Sequence, residues 1–327
     1  MATLAGSLRE LDHDSLDARF RQDVLAGLAQ APKVIPARWF YDRRGSELFE
    51  EITRLPEYYP TRAETEILRS HCADIATEVG QGRAVMEIGA GSAAKTPLLL
   101  DAVRPAAYVP VDISGDFLRD SCAQLARRYP DLPIFPIEAD FTRTVRLPAA
   151  IGGLKRLGFF PGSTIGNLVP EAAVDLLRAM REALGDSGML VIGMDRIKDR
   201  DILLAAYDDA AGVTAEFNRN LVRRIDRELD GTLPLDAFRH RATWNEALAR
   251  IEMHLEATRD IAFHVCGRRF AMRAGETIHT ENSHKYDDRS ATALLLAGGW
   301  EPVSDFRDSD ERFMVILAKA TTMQLTP

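Results

Sequence analysis

Ala84-Val85-Met86-Glu87-Ile88-Gly89-Ala90-Gly91 decides how the chain is read: a strand from Ala84 to Ile88 runs straight into a Gly-x-Gly turn ahead of a helical segment. Glycines there let backbone approach a ligand closely, because a Cβ would collide. A dinucleotide site asks for G-x-G-x-x-G, so that pyrophosphate meets a helix N-terminus. The third position here is Ala94, which that pattern tolerates, so the turn alone leaves the ligand open.

Outward from the turn the rhythm repeats. Apolar strand candidates recur at Ala107 to Val111, Ile134 to Ile137, Leu157 to Phe160 and Met189 to Met194. Between the last two, Ala173, Leu176, Leu177, Met180 and Leu184 form one stripe of a helix that starts at Pro170 and stops at Gly185. Buried parallel strands alternating with helices give an open α/β sheet, whose ligands bind at the carboxyl ends of its strands. Asp112 ends the second strand, 24 residues after Ile88, where a carboxylate can accept hydrogen bonds from both hydroxyls of a ribose. Asp140-Phe141 closes the third and suits adenine, with an acceptor for the exocyclic amine and an aromatic for the ring face. Lys95 carries the charge to pair with a ligand carboxylate. Singly, each acid reads as a solvated loop or a helix cap; together, at the ends of successive strands, they point to an adenosine-type cofactor.

Residues 197–286 leave this rhythm. A helical portion from Ile202 to Leu229 precedes strand-like runs at Arg250 to Thr258, Ala262 to Cys266 and Arg269 to Arg273. The chain then returns with a helix over Ser290 to Leu296, a turn at Gly298-Gly299-Trp300, and strands from Glu301 to Phe306 and Arg312 to Ala318. A class I methyltransferase sheet finishes in this way, its last strand antiparallel to the rest. At the other end, Leu16, Phe20, Val24 and Leu28 recur at helical spacing until Pro32 and Pro36 break the pattern. The expected architecture is α/β: a class I (Rossmann-like) methyltransferase sheet from residues 62–196 and 287–327, with a second α+β substrate-binding domain from the N-terminal segment 1–61 and the insertion 197–286.

Composition excludes several classes. Lys plus Arg is 41 against 49 Asp plus Glu, a net charge of −8, which offers no basic surface for nucleic acid. Cys72, Cys122 and Cys266 are scattered and odd in number, against a disulfide framework and in keeping with a reducing compartment. Arg9, Glu10, Asp12 and Asp14 occupy the place of a signal-peptide core, and no apolar run approaches membrane-spanning length. The histidines form no H-E-x-x-H or other ligand cluster, so no metal is expected. A cytoplasmic monomer acting on a small molecule, with no membrane partner, is the expectation.

Longer strings narrow it. Trp39-Phe40-Tyr41-Asp42, Leu55-Pro56-Glu57-Tyr58-Tyr59-Pro60-Thr61-Arg62, Pro161-Gly162-Ser163-Thr164-Ile165-Gly166-Asn167-Leu168, Ala206-Tyr207-Asp208-Asp209-Ala210-Ala211-Gly212-Val213-Thr214 and His279-Thr280-Glu281-Asn282-Ser283-His284-Lys285-Tyr286 are of low degeneracy. On these strings the chain resembles, from Pro36 to the C-terminal strand, the histidine Nα-methyltransferases of ergothioneine biosynthesis, a group related to fungal amino-acid N-methyltransferases. The resemblance implies S-adenosylmethionine as methyl donor and trimethylation of the α-amine of L-histidine to hercynine. It implies cofactor contacts at Gly89, Lys95, Asp112, Asp140 and Phe141, with Gly91 in the same turn. Tyr58, Asn167 and Tyr207 match positions at the substrate's amino-acid head, and Glu281 and Ser283 match the pair that reads the imidazole, with Met253 beside them. Tyr41 and Phe49 match aromatics near the amine, and Tyr41 and Asn167 are the candidate catalytic residues.

The chemistry agrees with that assignment. Imidazole offers one N–H, for which a carboxylate is the strongest acceptor, while a serine hydroxyl can donate to the other nitrogen. Without the surrounding string, Glu281 reads as an exposed loop acid, Asn167 as a helix N-cap ahead of Pro170, and Trp39, Phe40 and Tyr59 as core. The last reading is preferred for those three aromatics. Rival functions are N-methylation of a tryptophan derivative, a nicotinamide oxidoreductase, and a regulator that binds the methyl donor without turnover.

Overall fold

The computed structural model describes residues 13–91, 95–141 and 145–321. Ala94, the stretch Arg9 to Asp12 and the side chain of Leu16 lie outside the described residues. Along the chain, α1 (His13–Leu28), β1 (Lys33–Val34), α2 (Arg43–Ile52) and α3 (Pro60–Val79) lead into β2 (Ala84–Ile88), α4 (Thr96–Val103), β3 (Ala107–Asp112), α5 (Gly115–Arg128) and β4 (Ile137–Glu138). Next come β5 (Arg156–Phe160), α6 (Pro170–Leu184), β6 (Met189–Asp195), α7 (Arg200–Tyr207), α8 (Val213–Glu228), β7 (Phe238–Asn245) and β8 (Arg250–Ala257). The chain closes with β9 (Ile261–Val265), β10 (Arg268–Met272), β11 (Thr277–His284), α9 (Asp288–Ala297), β12 (Trp300–Arg307) and β13 (Phe313–Ala320). Two compact units result: unit 1 holds Pro60–Ile197 and residues 285–321, and unit 2 holds residues 13–59 and Lys198–His284.

Unit 1 is built on one sheet in the order β12-β13-β6-β5-β2-β3-β4. Strands β4, β3, β2, β5 and β6 run parallel, and β13 lies antiparallel to both β6 and β12, which is the class I methyltransferase arrangement. Alternate side chains serve opposite faces. Met86, Val109, Phe160 and Ile192 pack with α9 and with the stripe Ala173, Leu176, Leu177, Met180 and Leu184 of α6. Val85, Tyr108, Phe159 and Val191 pack with Ile67, Leu68 and Ile75 of α3 and Leu99 and Leu100 of α4. The strand expected from Ile134 to Ile137 is corrected. Pro133 and Pro136 supply no N–H to a ladder, so Ile134 makes one isolated bridge to Tyr108 and pairing resumes only at Ile137–Glu138. Asp140 and Phe141 therefore follow the strand rather than close it.

Unit 2 carries a sheet in the order β1-β11-β8-β7 and a separate β9–β10 hairpin. Helices α7 and α8 pack on β7 and β8. The helical portion expected from Ile202 to Leu229 is two helices, because the Asp209 carboxylate accepts from Val213 N at 2.9 Å and Thr214 N at 2.8 Å and so starts a new helix. Strands β7 and β11 were not foreseen as strands; their polar residues hide the period of two.

Where the chain re-enters unit 1, Lys285 Nζ meets the Asp195 carboxylate at 2.7 Å, with side chains 0% and 1% exposed. Removing one partner of such a pair takes from the other its opposite charge in a buried place. Lys285→Ala is expected to lower the unfolding free energy by about 3–5 kcal/mol, and K285M/D195L, which removes both charges, to recover most of that in urea denaturation. A loss below about 1 kcal/mol would mean that the pair behaves as a solvated one.

Candidate functional site

The parallel strands of unit 1 end on a common edge, and the cofactor candidates gather there. Gly89, next after β2, has φ 73°, a conformation that glycine adopts without a Cβ clash. At Gly91 a Cβ would stand 3.3 Å from both Asp112 Oδ2 and Phe117 Cδ1. That closeness lets Gly91 N donate to Asp112 Oδ2 at 2.9 Å while Ser114 N donates to Oδ1 at 2.8 Å. One carboxylate thus staples the loops after β2 and β3. Burial pushes the Asp112 carboxyl up to about 6, against the backbone hydrogen bonds from Ser114 and Gly91 that hold it down. Phe141 stands edge-on to Phe160 at 6.0 Å. Backbone free of Cβ, a buried carboxylate at the end of β3 and an aromatic ring soon after β4 fit the adenosine half of a cofactor.

Lys95 is not a lone cation awaiting a carboxylate. It ion-pairs with Glu64 of α3, whose side chain is 1% exposed and also accepts from Gly162 N at 3.0 and 2.9 Å. A ligand carboxylate would be a second partner for a lysine already balanced. Glu87 is a further buried acid: its carboxylate accepts from Thr96 Oγ1 at 3.0 and 2.9 Å and from Tyr108 OH at 2.7 Å. Burial pushes it up to about 7, opposed by the Tyr108 and Thr96 hydrogen bonds. Glu64 was missed because Arg62, Thr65 and Glu66 around it make it resemble any solvated helix acid. Asn167 belongs to a single 3-10 turn, Thr164–Asn167, after β5. Val169 occupies the N-cap of α6, so the cap reading of Asn167 falls.

The substrate candidates other than Asn167 lie in unit 2. Tyr41 follows a 3-10 turn, Ala37–Phe40, and Asp42 anchors it. Asp42 Oδ1 accepts from Gly45 N at 2.7 Å and from Asn220 Nδ2 at 2.8 Å, and Oδ2 meets Arg227 at 2.6 Å. Ring contacts then run from Tyr41 to Phe49 (5.7 Å), Phe49 to Tyr58 (6.2 Å) and Tyr58 to Tyr207 (6.2 Å). Phe217 of α8 touches both Tyr41 and Phe49, at 5.7 and 6.1 Å. It was missed because an aromatic on an amphipathic helix reads as core. Tyr207 OH and Ser283 Oγ lie 2.6 Å apart. Glu281 stands opposite Met253 in the β11–β8 ladder and Ser283 opposite Ile251, so these side chains share one face of the sheet. Glu281 is 9% exposed and within a strand, which ends its reading as an exposed loop acid. Trp39, Phe40 and Tyr59 are buried core, as expected.

Among the described residues, no group of three or more His, Cys, Asp or Glu could hold a metal ion, and no helix is long and apolar enough to cross a membrane.

A sequence model of the histidine-specific, S-adenosylmethionine-dependent methyltransferases matches residues 20–320. A histidine N-alpha-methyltransferase of Mycolicibacterium smegmatis is 41% identical over 306 residues, which span 90% of this chain and 94% of that protein. A histidine N-alpha-methyltransferase of Mycobacterium tuberculosis is 39% identical over 314 residues, 94% of this chain and 97% of its own. Ergothioneine biosynthesis protein 1 of Neurospora crassa is 28% identical over 298 residues, 88% of this chain but 33% of that longer protein.

A carboxylate accepts from hydroxyls more strongly when ionised, so Asp112 in the ribose-binding role expected from the sequence would make cofactor affinity depend on pH. Affinity for S-adenosylhomocysteine is expected to hold above pH 6 and to weaken below it, by up to about tenfold per pH unit. Asp112→Asn should bind weakly throughout, without that inflection. Titration calorimetry from pH 5 to 8 checks this, and a flat wild-type profile would remove Asp112 from the ribose.

Proposed function

This chain belongs to the S-adenosylmethionine-dependent, histidine-specific methyltransferases, and on that premise we propose that it transfers three methyl groups to the α-amino nitrogen of L-histidine, giving hercynine. The observation that carries the reading is the shared face of Glu281, Met253 and Ser283, tied to the ring-lined wall through the Tyr207–Ser283 hydrogen bond. Two residues apart on a strand is about 6.6 Å, a separation that lets a carboxylate and a hydroxyl close on the two nitrogens of one imidazole. Glu281 accepts the ring N–H. With Tyr207 as donor to Ser283, the serine proton serves the second nitrogen.

When bound, S-adenosylmethionine supplies an electrophilic methyl on a sulfonium. The chain's own residues must hold the nucleophile and deny it alternatives. Asp112 receives the ribose, Asp140 and Phe141 the adenine, and Lys95, shared with Glu64, the carboxylate end. Within unit 2, Tyr58 and Tyr207 hold the amino-acid head, and Tyr41 orients the amine. Displacement requires the reacting atoms in line at about 3–3.5 Å, so rotational freedom of the head is what these contacts remove. The amine must be neutral to attack, and its unperturbed value near 8 is pulled down by an adjacent cation; bulk water or a water linked to Tyr41 takes the proton. Tyr41, Phe49, Tyr58 and Phe217 offer ring faces to a nitrogen that grows permanently cationic with each methyl, an attraction of about 0.5–2 kcal/mol. That favours continuing to the third transfer, after which no lone pair remains.

Mass spectrometry of purified protein with S-adenosylmethionine and mixed amino acids is expected to find three methyls on histidine alone. A methylated tryptophan derivative in its place would transfer the reading to the rival substrate. Glu281→Gln should reduce kcat/KM for histidine by about 10–100-fold, the worth of a hydrogen bond to a charged group, and an unchanged preference for histidine would refute the pocket assignment.

A further inference from the structure

Glu281 faces the pocket because of one extra residue. In the β11–β8 ladder His279 pairs with His254 and Glu281 with Met253, so two steps on β11 match one step on β8 and Thr280 is the inserted position. A bulge of this kind reverses the face of every residue beyond it. In an unbroken ladder Thr280 would stand opposite Met253, and Glu281 would point to the other side of the sheet.

Side chains hold the bulge. Thr280 Oγ1 donates to Asn218 Oδ1 at 2.9 Å and approaches Met253 O at 3.0 Å. Asn218 Nδ2 donates to His254 O at 3.0 Å, which fixes the orientation of the amide, and also to His240 Nδ1 at 2.9 Å. His240 must then accept at Nδ1 and donate from Nε2, and the Nε2–H reaches Tyr207 O at 2.8 Å. Asn218 is 0% and Thr280 1% exposed, so a missing partner could not be replaced cheaply by solvent. Burial also pushes the His240 imidazole down, toward the neutral form that this pattern needs.

We propose that Thr280, Asn218 and His240 are positioning residues for the amino-acid pocket, holding the bulge that aims Glu281 and Ser283 in register with Tyr207. One end of the network grips the strand that carries the imidazole readers. The other grips the carbonyl of the tyrosine whose hydroxyl meets Ser283. The proposal rests on the pocket assigned in the preceding subsection. None of the three residues needs to touch the substrate; they act by setting where Glu281, Ser283 and Tyr207 stand relative to one another.

The test uses the full chain with Thr280→Val, which keeps the shape and removes the hydroxyl, and Thr280→Ser, which restores it. T280V is expected to raise KM for histidine about tenfold or more, with kcat changed less than about threefold and S-adenosylhomocysteine affinity unaltered; T280S should return close to wild type. Thr280→Ala carries the same expectation if the valine variant does not fold. Wild-type KM in T280V, or a raised KM accompanied by equal losses of kcat and cofactor affinity, overturns the proposal, as does failure of both T280V and T280A to fold. A wild type that does not methylate histidine rejects the substrate reading instead. The network is then judged by crystal structures, in which Glu281 of T280V should leave its place opposite Met253.

Discussion

Val85, Met86, Val109, Phe159 and Ile192 fill both faces of the large sheet, so a polar ligand can reach these strands only where the ladder stops. The rest of unit 1 follows from that constraint. Glycine is needed where the chain leaves β2, because backbone there must come within reach of the acid that ends β3. Asp112 can be buried only because backbone N–H groups on both loops satisfy it, and those same bonds hold the edge in one shape. Glu87 repeats the device a layer deeper, tying the start of α4 to β2 and β3 through Thr96 and Tyr108.

Unit 2 works by the opposite geometry. Its sheet offers chemistry from a face, so register decides which side chains are presented, and a shift of one residue exchanges the whole set. Glu281 and Ser283 fall together with Met253 because Thr280 is looped into a bulge. The face is in turn fixed by helices α7 and α8, through Tyr207, Phe217 and Asn218. Buried polar groups with every partner present are rigid, and here rigidity is what selective recognition of a ring requires.

Lys95 shows what an isolated sequence position leaves open. Its charge invited a ligand carboxylate, yet Glu64, 31 residues earlier, already neutralises it and also binds Gly162 N. Nothing in the composition of α3 sets Glu64 apart, because a helix acid becomes structural only when another element covers it. His240 is similar: among seven histidines it has no motif, and its role depends on an amide from α8 and a carbonyl from α7.

Period and spacing determined much of this protein by themselves. The Gly89-Ala90-Gly91 turn after an apolar strand, the stripe of α6, and the acids Asp112 and Asp140 at regular intervals are local patterns, and local sterics and burial suffice to interpret them. The long strings around Tyr41, Asn167, Tyr207 and Glu281 carried the family. The tertiary structure alone decided that Ile134 to Ile137 is interrupted, that Ile202 to Leu229 breaks into two helices, and that Glu281 lies on a strand face opposite Met253. The first two turn on groups close in sequence, Pro133 and Pro136 in one case and the Asp209 carboxylate below Val213 and Thr214 in the other, whose competition with a ladder or a helix only the folded chain resolves. The third depends on partners from other elements, Asn218 and Met253, which a chain read one residue at a time does not bring together.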